Sequence, residues 1–172
     1  MVGPAVHERQ RSAAKADFPL IHPGGGVLRS GAWQEVKELA EYLSAPVSTS
    51  IGARGIIPED HPLCLIPSGL GAITAQTTAD VVLLVGSRLG DIDFWGRPPF
   101  WGEESKQRFI QIDIEPQNIG LNRCVDLALV GDAKATLSAL LKAVKKHTKP
   151  KREKTQLKDA REAQKEPGAE GR

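Results

Sequence analysis

Val81-Val82-Leu83-Leu84-Val85-Gly86-Ser87-Arg88, Phe109-Ile110-Gln111-Ile112-Asp113-Ile114-Glu115-Pro116 and Leu127-Ala128-Leu129-Val130-Gly131-Asp132 are three short apolar runs, each closing on small or acidic residues. The runs are nearly continuous rather than alternating. That is how a strand reads when both its faces are buried, as in a parallel sheet covered by helices. In open parallel sheets ligands bind beyond the carboxyl ends of the strands. Those ends carry Gly86, Arg88, Asp113, Glu115, Gly131 and Asp132. Glycine permits close backbone approach, a cation suits phosphate, and carboxylates suit ribose or a base.

Outward from this stretch the pattern repeats. Phe18 to His22 reads as a first strand, with Pro19 tolerable at its start, followed by the turn Pro23-Gly24-Gly25-Gly26. Ser30 is placed to cap a helix carrying Trp33, Val36, Leu39, Ala40 and Leu43 on one face. Pro46 to Ser50 reads as a second strand, and a Gly- and Pro-punctuated loop follows from Ile51 to Pro62. Leu63 to Ile66 is a further apolar run, and Ser68-Gly69-Leu70-Gly71 leads into a helix through Ala79. Pro116 to Asn122 reads as one helical turn and Ala133 to Lys146 as an amphipathic helix. The expected fold is therefore α/β, a doubly wound, six-stranded parallel sheet with helices on both faces.

Residues 1–16 read as an N-terminal extension, with a short helix from His7 to Ala16, and 17–147 as the domain. Net charge is −4 over residues 1–141 and +6 over 142–172. Beyond His147 the only large apolar residue is Leu157, so 148–172 reads as a disordered basic tail or as a helix lacking its partner. The two cysteines, Cys64 and Cys124, form no C-x-x-C and read as buried reduced thiols. Met1 to Asp17 has no apolar signal core and no run has the length of a membrane span, so a cytoplasmic chain without membrane or nucleic-acid partners is expected.

Six blocks in order carry a resemblance. They are Gly24-Gly25-Gly26-Val27; Glu38-Leu39-Ala40-Glu41 with Ala45-Pro46-Val47; Gly55 to Pro62; Ala79 to Leu89; Ile110 to Pro116; and Val130-Gly131-Asp132-Ala133. From about Phe18 to Val144 the chain resembles the central domain of thiamine-diphosphate-dependent enzymes, nearest to acetolactate synthase-like proteins. The resemblance implies a three-domain parent enzyme, a transferase or lyase that decarboxylates a 2-oxo acid and transfers the two-carbon unit. It implies thiamine diphosphate and Mg²⁺ in the other domains and FAD, ADP or no ligand in this one. It also implies partner domains or subunits and a homo-oligomeric parent. Gly90-Asp91-Ile92 imitates the Mg²⁺ motif of the third domain but lacks its final glycine, and Asn118, 28 residues on, has no asparagine neighbour. The chain is thus expected to be a fragment or one piece of a split enzyme, without a complete active site.

The resemblance places cofactor contacts at Gly24, Gly25, Gly26, Gly86, Arg88, Asp113, Ile114 and Asp132, with no catalytic residue and no metal ligand. Each has a plainer alternative. The three glycines hold a pyrophosphate or simply make a tight turn. Arg88 reaches a phosphate or pairs with Asp91 or Asp93. Asp113 faces ribose or adenine or caps the turn from Pro116, and Asp132 caps the last helix or faces adenine. His22-Pro23 stands where the family has small apolar residues. Pro67-Ser68-Gly69-Leu70-Gly71 keeps the glycines but not the Met-His pair of FAD-binding relatives, which favours ADP or no ligand. Phe94, Trp95, Phe100 and Trp101 read as an interface to other domains or as a loop folded on its own sheet. His61 reads as part of a turn. An oxalyl-CoA decarboxylase or 2-hydroxyacyl-CoA lyase-like domain binding ADP, or a ligand-free assembly module, is the alternative. A free-standing NAD-dependent oxidoreductase is disfavoured, because no G-x-G-x-x-G is present and Pro46 to Ser50 ends without an acid.

Overall fold

A computed structural model describes residues 16–151 and 153–165. The expected helix from His7 lies, apart from Ala16, outside the described residues, as do Arg152 and 166–172. The strands are β1 (Pro19–Pro23), β2 (Val47–Ser48), β3 (Cys64–Leu65), β4 (Val81–Val85), β5 (Arg108–Asp113) and β6 (Leu127–Val130). They form one parallel sheet in the order β3-β2-β1-β4-β5-β6. The helices are α1 (Gly25–Ser30), α2 (Trp33–Leu43), α3 (Leu70–Thr78), α4 (Ala133–His147) and α5 (Thr155–Lys165).

The chain leaves β1 in one direction through β2 and β3, then returns to β4 beside β1 and proceeds the other way. Right-handed crossovers in opposite directions put α2 and α3 on opposite faces, which is the doubly wound arrangement. α4 packs against α1 and α2, and α5 against α3 and β3. Two of the three apolar runs behave as their continuity demands, β4 being buried throughout and β5 from Phe109 on, whereas β6 is the edge strand and buries only Leu127, with Val130 exposed; Ile21, Leu83, Ile110 and Leu127 form one row across the sheet.

Three local expectations change. Ser30 ends α1, its hydroxyl donating to the Val27 carbonyl at 3.2 Å, and α2 starts at Trp33 with Ala32 as an N-cap that offers no side-chain hydrogen bond. Gly25 and Gly26 are not a free turn but the first residues of α1, with Gly24 as its N-cap. Cys124 is exposed, and only Cys64 is buried.

The aromatic loop folds onto its own sheet. Trp101 is 1 % exposed, its ring meets His22 at 5.1 Å and Phe109 at 5.7 Å, and Phe94 stacks on Phe100 at 3.8 Å. The Trp101 indole donates to the Asp93 carbonyl at 2.8 Å. Of the four aromatics named, Trp101 is buried, Phe94 and Phe100 are half-buried, and Trp95 is exposed, as is the neighbouring Ile92. His61 does sit in a turn, its Nδ1 accepting from the Leu63 amide at 3.2 Å.

The tail is where the structure departs furthest from expectation. Residues 155–165 are helical and docked, with Leu157 and Ala160 fully buried. The contact depends on small residues: a Cβ on Gly71 would lie 2.6 Å from the Ala160 carbonyl oxygen, so only glycine admits the α5 backbone there. Gln164 spans the free edge of β3, accepting from Ile66 N–H at 2.8 Å and donating to Cys64 O at 3.4 Å. Arg161 donates to Pro62 O at 2.6 Å, and Lys154 pairs with Asp17 at 2.5 Å. The connection is tied too, Tyr42 Oη donating to Thr148 O at 2.7 Å and Ser44 Oγ to Lys151 O at 2.8 Å. A helix with one large apolar residue docks because α3 offers it the bare backbone of Gly71, a close approach that hydropathy does not register.

A candidate nucleotide cavity at the switch point

β1 and β4 are neighbours in the sheet, but their chains depart in opposite directions, and a crevice opens beyond their carboxyl ends. It is a cavity of about 590 Å³ whose wall includes Gly25, Gly26, Gly86, Arg88, Asp113, Ile114 and Asp132. Seven of the eight residues expected to contact a cofactor therefore meet at one place. Gly24 lies behind that wall.

The glycines divide into two kinds. The Gly24 amide donates to Val85 O at 2.8 Å and the Gly26 amide to Gly86 O at 3.0 Å. A Cβ on Gly24 would fall 2.5 Å from Gly86 O, and one on Gly26 would fall 2.7 Å from Gly86 Cα. Gly86 itself has φ +58°, which favours glycine. These three interlock two strand ends. Gly25 differs: a Cβ there would meet nothing within 4 Å, because the position faces the cavity. Its amide stands at the first position of α1, where no acceptor exists one turn back. One glycine amide, not three, is open to a ligand here, and the six-residue α1 adds little dipole.

Arg88 is exposed at the cavity edge, and none of the described residues forms an ion pair with its side chain. Arg29, on the last turn of α1, also lines the cavity. Asp113 is 6 % exposed and its Oδ1 accepts from the Glu115 amide at 3.0 Å and from Asn118 Nδ2 at 3.2 Å. Glu115, not Asp113, caps the turn Pro116–Asn118, accepting from the Gln117 amide. Asp132 caps α4, Oδ1 accepting from the Ala135 amide at 2.9 Å. Ile114 is 72 % exposed, a flat apolar surface on the rim. Gln111 holds the loops in place beneath, donating to Ser87 O at 3.2 Å and Asn118 O at 3.0 Å and accepting from the Gly120 amide at 2.9 Å.

Sequence reasoning missed Arg29, Ser50 and Asp93, all in the cavity wall. Only the observation that successive elements converge at a switch point could have flagged them. Two guanidiniums therefore face four carboxylates, Asp93, Asp113, Glu115 and Asp132. That balance suits a ligand with both phosphates and hydroxyl or amino donors better than a bare polyphosphate. Gly69 and Gly71, which survive from the family's third-strand motif, line α3 instead of this cavity, Gly71 serving the α5 contact.

Fold and cavity together define a doubly wound α/β domain with a candidate ligand cleft at its switch point. The chain matches the family described as thiamine pyrophosphate enzyme, central domain, over residues 12–140, and it belongs to that family. It is 41 % identical over 143 residues to a probable acetolactate synthase large subunit of Methanocaldococcus jannaschii, covering 81 % of this chain and 24 % of that protein. It is 36 % identical over 149 residues to the acetolactate synthase of Mycobacterium bovis, covering 84 % of this chain and 24 % of that one. It is 34 % identical over 149 residues to the sulfoacetaldehyde acetyltransferase of Roseovarius nubinhibens, covering 80 % of this chain and 23 % of that protein. The chain spans about a quarter of the length of these relatives. Among the described residues no group of three His, Cys, Asp or Glu side chains is placed to hold a metal ion. No helix among them is long and apolar enough to cross a membrane.

Proposed function

We propose that this chain is the nucleotide-holding middle domain of an acetolactate synthase-like enzyme, taking ADP or the ADP half of FAD in the switch-point cavity. The observation that carries the reading is the contrast among the glycines. Gly24, Gly26 and Gly86 are required by packing, whereas Gly25 opens its amide and an empty Cβ position onto the cavity. In this reading the Gly25 amide, Arg88 and Arg29 take the phosphates, Asp113 accepts from ribose or adenine, and Ile114 offers its apolar face to the base. Thiamine diphosphate and Mg²⁺, held by other parts of the parent, supply decarboxylation of a 2-oxo acid and transfer of the two-carbon unit. This chain carries no catalytic residue, and its share is to hold the nucleotide and dock against neighbouring domains or subunits of an oligomer.

Isothermal calorimetry with ADP at millimolar concentration tests the reading. Binding that Gly25→Val abolishes supports it, and no heat of binding overturns it. The excess of carboxylates over guanidiniums favours one second reading, a ligand-free assembly module. Unchanged ADP titration blanks together with a concentration-dependent mass in sedimentation would support that alternative.

A further inference from the structure

We propose that a second cavity, at the amino ends of β4 and β5, binds a small organic ammonium ion with an apolar body. The site is separate from the switch-point cleft and does not depend on the nucleotide reading.

The cavity measures about 390 Å³ and includes Asp80 and Gln107, the residues immediately before β4 and β5. Gln107, only 3 % exposed, forms its floor. Gln107 Nε2 donates to Gln76 O at 2.7 Å and to Ala79 O at 2.9 Å. Both partners are carbonyls, so the nitrogen of the amide must face them and the oxygen is the atom left over. That oxygen, Oε1, is buried and has no hydrogen-bond partner. A buried acceptor without a donor is costly, and a ligand that brings a donor recovers the loss. The wall beside the amide is bare: a Cβ on Gly102 would fall 2.9 Å from Gln107 Nε2.

The other polar groups of the wall are of one kind. Thr77 and Thr78 end the nine-residue α3, so the carbonyl end of that helix, with its partial negative charge, stands at the cavity. Asp80 adds a carboxylate fixed by the Asp17 and Phe18 amides at 2.7 and 2.9 Å. Glu103 adds an exposed carboxylate that forms no ion pair among the described residues. Donors are nearly all used elsewhere: the Thr77 and Thr78 hydroxyls donate to Ile73 O and Thr74 O, and the Trp101 indole to Asp93 O. Lys106 is the one cation in the wall. A ligand cation with N–H donors therefore answers the helix end, the carboxylates and the orphan oxygen together, whereas an anion would meet little but Lys106. Pro98, Pro99 and Trp101 line the same cavity and give a hydrocarbon body an apolar surface to pack on.

The probe is n-butylammonium, a primary amine that stays protonated near neutral pH. It is titrated into the isotope-labelled full chain while the assigned Gln107 side-chain amide signals are followed by NMR. Those signals are expected to move saturably, at about millimolar affinity for so small a ligand. n-Butanol, which lacks the charge, and tetramethylammonium, which lacks the N–H donors, are expected to bind at least about tenfold more weakly, the loss that follows removal of a hydrogen bond to a charged group. Glu103→Gln, at an exposed position, should weaken n-butylammonium about threefold, as for an exposed ion pair. Gln107→Met should abolish its binding. Absence of saturation overturns the proposal. Saturation with the Gln107 signals unmoved overturns it as well, because the ligand then sits elsewhere and the orphan oxygen holds a water only. Equal binding of n-butanol or of tetramethylammonium overturns it by removing the need for charge or for donors, and so does unchanged affinity in both variants. Should Gln107→Met fail to fold by circular dichroism, the Gln107 signals of the parent and the Glu103→Gln titration decide together.

Discussion

Gly26 and Gly86 occupy each other's side-chain space: a Cβ on Gly26 would fall 2.7 Å from Gly86 Cα, and a Cβ on Gly86 would fall 2.6 Å from Gly26 Cα. The approach lets the Gly26 amide reach Gly86 O and joins the first turn of α1 to the end of β4. Gly26→Ala should therefore destabilise the fold by about 1–3 kcal/mol, the range for overpacking a tight contact. Gly86→Ala should lose more, since its φ of +58° adds left-handed strain of about 1–2 kcal/mol. Urea unfolding followed by circular dichroism measures both.

Gly25→Val should behave differently. No neighbouring atom lies within 4 Å of the added Cβ, so the substitution leaves packing intact and costs at most the modest helix preference of a β-branched residue. If the proposed nucleotide reading holds, ADP binding is the property it should remove. Asp113→Ala should weaken binding by about 1–3 kcal/mol, as for a lost hydrogen bond to a charged group. It also frees the Glu115 amide and Asn118 Nδ2, so a stability measurement must accompany the titration.

The tail should prove part of the domain. Leu157→Ala empties a fully buried position and should cost about 2–5 kcal/mol. Gly71→Ala should cost a comparable amount by driving α5 away from α3. Limited trypsin digestion provides a second measure. The bonds after Lys158 and Arg161 should resist cleavage in the parent and open in Leu157→Ala.

The two thiols should react unequally. Burial pushes the Cys64 thiol up, with a smaller contribution from the nearby Glu59 carboxylate, while Cys124 is exposed. Attack on a disulfide reagent needs the thiolate. Near pH 8 one thiol should therefore label fast and the other slowly, and mass spectrometry of peptides should place the fast label on Cys124.

Thiamine-dependent turnover should be absent from the chain by itself. A pyruvate assay with added thiamine diphosphate and Mg²⁺ is expected to match the blank, and consumption above it would show that a catalytic constellation had been overlooked.

Much of this was legible in the chain. A continuous apolar run such as Val81 to Val85 reads as a strand buried on both sides, and such strands point to helices on both faces and to ligands bound beyond their carboxyl ends. The family membership was likewise carried by local blocks. Local sequence also placed Asp132 ahead of a helix that needed a cap.

Tertiary structure decided what local sequence leaves degenerate. Gly24, Gly25 and Gly26 are identical letters, yet two are locked against Gly86 and one faces the cavity, because only the packing of β1 beside β4 distinguishes them. Asp93 looked like a partner for Arg88 until the aromatic loop folded back and set it beside His22. α5 looked unpartnered because its docking depends on Gly71, nearly ninety residues earlier, and a glycine carries almost no hydropathy signal. The sequence determined which segments must be buried; the fold determined which atoms they would meet, since close approach is a property of pairs and not of residues.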